Sequence, residues 1–224
     1  MEIEGVLDYF HFDPTSVDYH RRYNVAPTDS VLVWGSNGLG TAEYMRWGLI
    51  PYWRKPPAGG IKARKLPLAI NAKAETLASN GMFKGPFQGK RCLVLSDGFY
   101  EWRKNGDGTT TPFRIGLSTW EPFGFAGVWD EWRGPDGTVR SCTIVTTTPN
   151  ELTEPIHDRM PVMLKREHHE EWLDASNRDT SSLQHLLAPY PSEDMALYEV
   201  SSLVGNVKND TPDVIAPPSQ SKLL

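Results

Sequence analysis

Residues 124–147 read Gly-Phe-Ala-Gly-Val-Trp-Asp-Glu-Trp-Arg-Gly-Pro-Asp-Gly-Thr-Val-Arg-Ser-Cys-Thr-Ile-Val-Thr-Thr, and this stretch decides the fold class. Two strand-like runs, Gly124–Trp132 and Cys142–Thr147, are rich in aromatic and β-branched residues. The Gly-Pro-Asp-Gly sequence at 134–137 separates them and predicts a hairpin. A second turn signal, Asn-Gly-Asp-Gly at 105–108, predicts another hairpin, so the strands are expected to pair mainly antiparallel.

The rest of the chain also contains more strand-like runs than helices. The helix candidates are short: residues 2–10, Glu75–Phe83, Asn150–Ile156, Arg166–Asp174 and Ser181–Leu187. The other strand candidates are Val31–Trp34, Ala42–Trp47, Leu68–Ala74, Cys92–Trp102, Phe113–Leu117, Val162–Leu164 and Leu197–Ser201. Strands and helices do not alternate regularly. The sequence therefore predicts an α+β fold, a single domain built on a curled, partly closed, mainly antiparallel β-sheet with short peripheral helices.

Length and composition define the expected domain and compartment. The chain has 224 residues, of which 39% are hydrophobic, enough for one large core. We expect one domain over residues 1–210 and a loose, Pro- and Ser-rich tail over 211–224. No apolar run approaches the length of a membrane span, and the first residues lack a signal-peptide pattern. The two cysteines exclude a disulfide framework, which favours the reducing cytoplasm.

Basic residues are concentrated in one part of the sequence. Residues 44–104 contain twelve basic and three acidic residues, although the net charge of the chain is -5. Five of the basic residues lie in the loop 54–67. A local positive field attracts a polyanion such as DNA, but a solvated basic face balanced by the acidic half of the chain explains the same pattern.

Three polar residues occur in segments where a purely structural hydrophobic core would be expected to have apolar residues. Asn71 ends an apolar strand candidate, Glu101 lies between two large aromatic residues, and His157 has charged neighbours. A carboxyl that aromatics partly desolvate is suited to acid–base catalysis. Each residue also has a structural interpretation: Asn71 as a buried hydrogen-bonding amide, Glu101 as a solvent-facing strand residue, and His157 as a structural histidine beside an Asp158–Arg159 ion pair.

Metal and cofactor chemistry has no recognisable signature in the sequence. The spacings of His, Asp and Glu residues do not indicate a metal site, and a phosphate-binding glycine loop is absent. His168 and His169 lie on a charged helix candidate and are expected to be solvated. Cys92 and Cys142 are expected to be inert core thiols. We therefore expect no metal and no cofactor.

Seven ordered segments together resemble the SRAP family, the SOS response-associated peptidase-like proteins that process abasic sites in DNA. The segments span most of the chain: Arg22–Thr28, Trp47–Pro51, Ile70–Thr76, Asp97–Trp102, Phe125–Gly127, Ile156–Pro161 and Val204–Asn209. Seven segments in order are far more specific than any single motif. The resemblance implies that Asn71 contacts the reacting sugar, that Glu101 is the catalytic carboxylate, and that His157 is the active-site histidine with Arg159 nearby.

The resemblance also implies a DNA-binding surface. Aromatic residues can stack on unpaired bases, and cations can contact phosphates. The residues expected to bind DNA are Arg22, Asn24, Trp47, Trp53, Lys73, Phe83, Lys84, Arg159 and Lys208, with the basic loop 54–65 as a further phosphate contact and Trp102 and Trp129 as further stacking surfaces. The commonest family form has Arg at the position of Lys73. Lysine keeps the positive charge but cannot make the two parallel hydrogen bonds that a guanidinium makes to a phosphate.

The start of the chain departs from the family pattern. Family members begin Met-Cys-Gly-Arg, and the exposed N-terminal Cys supplies both the amine and the thiol that condense with the aldehyde of an abasic site. This chain has Glu2 at that place and begins inside a helix that normally follows the Cys by roughly ten residues. Two explanations are open: the true start lies upstream of Met1, or the protein has lost the nucleophile.

The expected function follows from the resemblance. We expect an abasic-site sensor that binds single-stranded or junction DNA and crosslinks to it through an N-terminal Cys, with associated autoproteolytic and lyase-like activity. The alternative is a non-covalent module that binds single-stranded DNA. A general peptidase ranks last, because the sequence contains no recognisable protease triad. We expect a cytoplasmic monomer that does not bind membranes.

Overall fold

The computed structural model describes residues 1, 3–11, 17–35, 38, 40–55, 69–135 and 137–218. The α-helices are α1 (Ile3–Phe10), α2 (Lys84–Gly89) and α3 (His169–Leu173). The strands are β1 (Ser30–Trp34), β2 (Ala42–Trp47), β3 (Asn71–Lys73), β4 (Arg91–Ser96), β5 (Phe99–Lys104), β6 (Thr110–Leu117), β7 (Phe123–Gly134), β8 (Gly137–Thr147), β9 (Met160–Pro161), β10 (Met163–Leu164) and β11 (Met195–Glu199). Short 3-10 turns cover Ala74–Thr76, Arg166–His168, Gln184–Leu187, Ser192–Asp194, Ser202–Gly205 and Pro212–Ile215.

The larger sheet curls until its strands meet. Its order is β10-β7-β4-β1-β2-β8-β3, and β7 also pairs with β8. The pairings β7–β4–β1–β2–β8–β7 therefore form a closed ring, in which only the β2–β8 pairing is parallel. A second sheet of three strands has the order β11-β6-β5. Both predicted hairpins are present, β5–β6 and β7–β8, and the predicted α+β fold with a partly closed, mainly antiparallel sheet is confirmed.

The strands of the ring are apolar on both faces because each face covers a different core. In β1, Leu32 and Trp34 pack into a core beneath the helices, whereas Val31 and Val33 pack into a core shared with the three-stranded sheet. Alternate residues of a strand point to opposite faces. A strand with a core on each face therefore needs apolar residues at successive positions rather than at alternate ones.

The predicted strand Cys92–Trp102 is wrong, because the chain divides it between the two sheets. β4 ends at Ser96 and β5 begins at Phe99. Ser96 Oγ donates to the carbonyl of Gly98 at 2.6 Å. A Cβ at Gly98 would lie 3.0 Å from Arg114 Nε, so glycine permits the close approach of β6. This turn moves the chain into the second sheet and brings Glu101 with it.

Other predicted elements change in length or type. The strand predicted over Leu68–Ala74 is limited to β3 within the described residues, and 56–68, which include most of the basic loop, lie outside them. The helix predicted over Glu75–Phe83 is a 3-10 turn followed by turns, and α2 begins only at Lys84. Asn150–Ile156 forms turns rather than a helix, because Asn150 Oδ1 accepts from the Thr153 N–H at 3.0 Å and Pro155 has no N–H to donate.

Two predictions about exposure also fail. His169 is 4% exposed rather than solvated, because its ring stacks on Phe10 and its Nε2 lies 3.2 Å from the carbonyl oxygen of Leu164. Pro212–Ile215 forms a 3-10 turn instead of the start of a loose tail, because Val214 is buried against Val200 and Val204. Within the described residues no helix has both the length and the apolar character needed to cross a membrane.

A buried arginine ties the helices to the ring. Arg91, at the start of β4, is 4% exposed. Its guanidinium donates to the carbonyl oxygens of Phe87 at 2.8 Å and Asn177 at 3.1 Å, and to those of Trp172 and Asp174. Phe87, Trp172 and Asp174 lie in or directly after the last turns of α2 and α3, where helical carbonyls lack partners, and Asn177 lies in the segment that follows α3. One cation therefore satisfies carbonyls from two helices.

Replacing Arg91 should destabilise the fold. We expect Arg91→Met to lower the free energy of unfolding by about 3 kcal/mol, since it leaves several buried carbonyls unpaired. Urea unfolding measures this loss. The matched control is Arg133→Met, whose side chain is 84% exposed and whose effect should stay within about 0.5 kcal/mol. Equal stability of the two variants would contradict this role for Arg91.

Candidate functional site

A cleft of about 570 Å³ opens between the two sheets. All seven sequence segments that carry the family resemblance contribute residues to its lining. They come from distant parts of the chain, and core packing alone does not require that they meet. The predicted site residues that line this cleft are Arg22, Asn24, Trp47, Asn71, Lys73, Glu101, His157 and Arg159.

Glu101 is the partly buried carboxyl of the cleft. It lies on β5 opposite Phe113 of β6, and it is partly covered by its surroundings. Burial raises the pKa of the Glu101 carboxyl above its usual range, and the nearby His157 opposes this shift only in part. The interpretation of Glu101 as a plain solvent-facing residue is therefore wrong. A carboxyl with a raised pKa keeps its proton to a higher pH than an ordinary glutamate, which suits a proton-transfer group.

His157 lies on the turn that leads into β9. Its Nδ1 lies 3.1 Å from both the backbone nitrogen and the carbonyl oxygen of Arg159, and 3.3 Å from Asp158 Oδ1. The turn thus engages Nδ1, and among the residues that the structure describes none hydrogen-bonds Nε2. The side chain is 43% exposed, so solvent reaches it.

Asn71 and Lys73 extend from β3 into the cleft. Both are exposed, while Ala72 between them is buried. The alternative of a buried, hydrogen-bonded Asn71 is wrong: among the described residues, none hydrogen-bonds its side-chain amide. The pairing of Asn71 with Ile144 and of Lys73 with Thr146 fixes their positions. Both side chains are available to a ligand.

Arg159 is held by a carboxylate that the sequence analysis did not assign. Its guanidinium forms two hydrogen bonds to Glu75, at 2.6 and 2.9 Å, and a third to the carbonyl oxygen of Thr146. The hydrogen bond from Arg159 holds the pKa of Glu75 below its usual range. Asp158 is 90% exposed and faces His157 instead. The expected Asp158–Arg159 pair is therefore wrong.

Arg22 and Asn24 belong to a polar network that closes one wall of the cleft. The backbone N–H groups of Tyr23 and Asn24 donate to Asp210 Oδ1 at 2.6 and 2.9 Å, and Arg22 pairs with the same carboxylate. Partial burial alone would raise the pKa of the Asp210 carboxyl. The hydrogen bonds from Tyr23, Asn24 and Arg22 outweigh this effect and hold the pKa below its usual range. The Asn24 amide, in turn, donates to the carbonyl of Val204 at 3.0 Å. Both residues are anchored before any ligand arrives.

The amine of Met1 lies in the same cleft. It is 3.2 Å from Asp97 Oδ2, and Asp97 Oδ1 lies 3.3 Å from Arg114. The Tyr19 hydroxyl donates to the Met1 carbonyl at 2.6 Å. Asp97 and Tyr19 therefore fix the position of the Met1 backbone beside the other polar groups.

Comparison with known proteins identifies the family of this chain. The sequence profile of SOS response associated peptidase (SRAP) matches residues 2–207. The chain belongs to the SRAP family. The abasic site processing protein YoqW of Bacillus subtilis is 43% identical over 221 residues, which cover 96% of this chain and 95% of that protein.

More distant relatives share the same family and fold. The abasic site processing protein HMCES of Gallus gallus is 34% identical over 195 residues, which cover 77% of this chain and 56% of that protein. A crystal structure of a protein from Bacteroides thetaiotaomicron superposes with a TM-score of 0.82 at 26% identity, covering 96% of this chain and 94% of that one. The expected membership in the SRAP family is thus confirmed.

Four predicted DNA-binding residues of this SRAP chain do not line the cleft. Phe83 is 7% exposed and belongs to the core beneath the helices, so it offers no stacking surface. Trp53 is 53% exposed but lies elsewhere. Lys84 begins α2, outside the cleft, and Lys208 follows Val207, the last lining residue of its segment.

The basic segment is dispersed over the fold. Of its described cations, only Lys73 lines the cleft. Arg91 is a buried structural residue, and Lys90 pairs with Asp130 at 2.6 Å. The cleft draws the rest of its positive charge from Arg21, Arg22, Arg114 and Arg159. The charge pattern along the sequence did not identify these residues, because all four lie outside the basic segment.

Replacing Glu101 should stabilise the SRAP fold at neutral pH. Because the pKa of Glu101 is raised in the folded state, folding favours the protonated carboxyl. The stability that this protonated form contributes is lost as pH rises through the folded pKa, where the charged carboxyl must be held in a partly buried place. We expect Glu101→Gln to raise the thermal midpoint by about 2 °C at neutral pH. The gain should vanish below the ordinary glutamate pKa. The exposed Glu154→Gln serves as control in thermal melts, and equal gains for both variants would refute a desolvated Glu101.

Proposed function

We propose that this SRAP chain processes abasic sites in single-stranded or junction DNA. The observation that carries the proposal is the convergence of all seven family segments on one cleft. The names of its relatives, abasic site processing proteins, supply the substrate class. An abasic site differs from intact DNA by its missing base and its aldehyde, so its processing requires room for a sugar and groups that react with a carbonyl.

The contents of the cleft match that substrate. The free amide of Asn71 can hydrogen-bond the sugar hydroxyls, while Glu101 and His157 supply a proton donor and acceptor. Lys73 and Arg159 carry positive charge for the flanking phosphates. Trp47 also lines the cleft, and its Nε1 donates a hydrogen bond to the carbonyl oxygen of Ile70 at 2.9 Å. We propose that it stacks on a neighbouring base.

The covalent step requires a 1,2-aminothiol. The amine condenses with the C1′ aldehyde to an imine and releases water, and the thiolate then adds to the imine carbon to close a thiazolidine ring. Neither cysteine of the chain can act here. Both are fully buried, and burial raises the pKa of the Cys142 thiol to about 12 and that of Cys92 well above its usual value.

The Met1 amine indicates where such a nucleophile would act. Because this amine lies in the cleft beside Asp97, a segment joined to Met1 would enter the cleft directly. We propose that an N-terminal Cys delivered by such a segment forms the crosslink, with Glu101 and His157 transferring the protons. Autoproteolytic and lyase-like steps would use the same groups.

A non-covalent DNA-binding function is the second candidate. A polypeptide that starts at Met1 presents an amine but no neighbouring thiol. Its imine with an abasic aldehyde would hydrolyse readily. Such a polypeptide would bind single-stranded DNA through the cleft without a stable adduct. We propose in either case a cytoplasmic monomer, in which both thiols stay reduced.

A denaturing gel separates these functions. We expect the 224-residue polypeptide to form no heat-stable adduct with an abasic single-stranded oligonucleotide. Extending it upstream with Met-Cys-Gly-Arg and the roughly ten linking residues of a family member should create the adduct, and changing the added Cys to Ala should abolish it. An intact oligonucleotide is the control. A heat-stable adduct from the unextended polypeptide would overturn the aminothiol mechanism.

The salt dependence of DNA binding tests the cleft as the interface. Lys73→Ala should weaken binding and reduce the slope of log K against log salt by about one unit, since one phosphate contact is lost. Lys84→Ala makes the same charge change outside the cleft and should leave the slope unaltered. Fluorescence anisotropy with a labelled abasic oligonucleotide measures both. Equal slopes for the two variants would exclude Lys73 from the DNA contact.

A further inference from the structure

A cluster of two histidines and one glutamate lies on a surface that contributes nothing to the cleft. His168 and Glu171 flank the start of α3, and His185 lies on the 3-10 turn Gln184–Leu187. One potential ligand atom from each residue lies within 4.8 Å of the other two. None of the three lines the cleft. We propose that His168, Glu171 and His185 form a binding site for a divalent transition-metal ion, with Zn²⁺ the best fit.

One nitrogen of each histidine lies close to the Glu171 carboxylate. His168 Nδ1 lies 3.7 Å from Glu171 Oε2, and His185 Nε2 lies 3.5 Å from Glu171 Oε1. The two imidazole rings are nearly perpendicular, with centroids 6.0 Å apart. Each histidine thus presents one nitrogen toward the same carboxylate.

The second nitrogen of His185 already has a hydrogen-bond partner, since His185 Nδ1 lies 2.9 Å from the carbonyl oxygen of Ser182. A backbone carbonyl is one of the partners that metal-ligating histidines use to fix their orientation. His168 Nε2 lies 3.6 Å from Glu167 Oε1, which is an electrostatic contact beyond hydrogen-bond distance. In both rings the other nitrogen is the one that faces Glu171.

The backbones that carry the three ligands are anchored by the core. Trp172 and Leu173, next to Glu171, are buried, as are Leu186 and Leu187, next to His185. The side chains of His168, Glu171 and His185 are exposed or half-buried, so they can rotate. Zinc–nitrogen bonds of about 2.0–2.1 Å in a tetrahedral site place ligand atoms about 3.4 Å apart. Rotation of the side chains closes the remaining distance without moving the backbone.

The donor set selects the class of metal. Two imidazoles and one carboxylate suit zinc and neighbouring transition metals, whereas calcium and magnesium require oxygen ligands throughout. Three protein ligands leave a fourth position to water. Bound zinc would join α3 to the Gln184–Leu187 turn, two segments that are separate in the sequence.

Isothermal titration of the full chain with zinc chloride tests the site. We expect one equivalent of zinc to bind, and His168→Gln, His185→Gln and Glu171→Gln each to lower the affinity at least about tenfold. The matched controls are Glu170→Gln, on the same helix, and His20→Gln, an exposed histidine 3.2 Å from a single carboxylate, Asp18. Both controls should bind zinc like the parent.

Two further measurements keep the outcome decisive. Circular dichroism without zinc should be the same for all variants, and zinc in about hundredfold excess over its Kd should raise the thermal midpoint of the parent by about 5 °C. Cobalt, added alone, should give the intense visible bands of four-coordinate geometry. Absence of zinc binding by the parent, or binding that persists in a variant combining His168→Gln, Glu171→Gln and His185→Gln, would overturn the proposal.

Discussion

The register of β8 is the constraint on which the ring and the cleft both depend. Residues 141–147 of this strand are buried on both faces and pair with four other strands. Parallel pairing sets Trp47 opposite Cys142, and it also aligns Asn71 with Ile144. A one-residue slip would turn every side chain of β8 to the other face and misalign its neighbours. Since both faces are buried, such a slip is strongly disfavoured.

The same strand positions the histidine side of the cleft. β9 pairs with β8 through Met160 and Thr147, which places the turn 157–159 over the end of the strand. The Thr146 carbonyl then accepts a hydrogen bond from Arg159. Glu101 reaches the cleft by another route, through the change of sheet at Asp97–Gly98. The two proton-transfer candidates are thus held by different sheets that meet only in the folded chain.

The cleft contains groups that a stability-optimised fold would avoid. Glu101 is partly desolvated, Asn71 has an amide without a described partner, and Arg159 Nε is buried without an acceptor among the described residues. The desolvation of Glu101 and of Arg159 Nε costs free energy in the unliganded protein, whereas the exposed Asn71 amide is open to a ligand. Their concentration in one cleft is typical of a site prepared for a ligand.

The sequence by itself determined the strand-rich α+β fold and both hairpins, because turn residues and apolar patterns act locally. The seven segments that line the cleft were identified by their resemblance to the SRAP family. The tertiary structure decided the rest. It divided Cys92–Trp102 between two sheets, buried His169 against Phe10, and gave Arg159 the partner Glu75 instead of Asp158. It also decided that Lys73 faces the cleft and Lys84 does not. These outcomes depend on contacts between residues far apart in the chain, and the local pattern of a sequence does not record which distant strand a residue will meet.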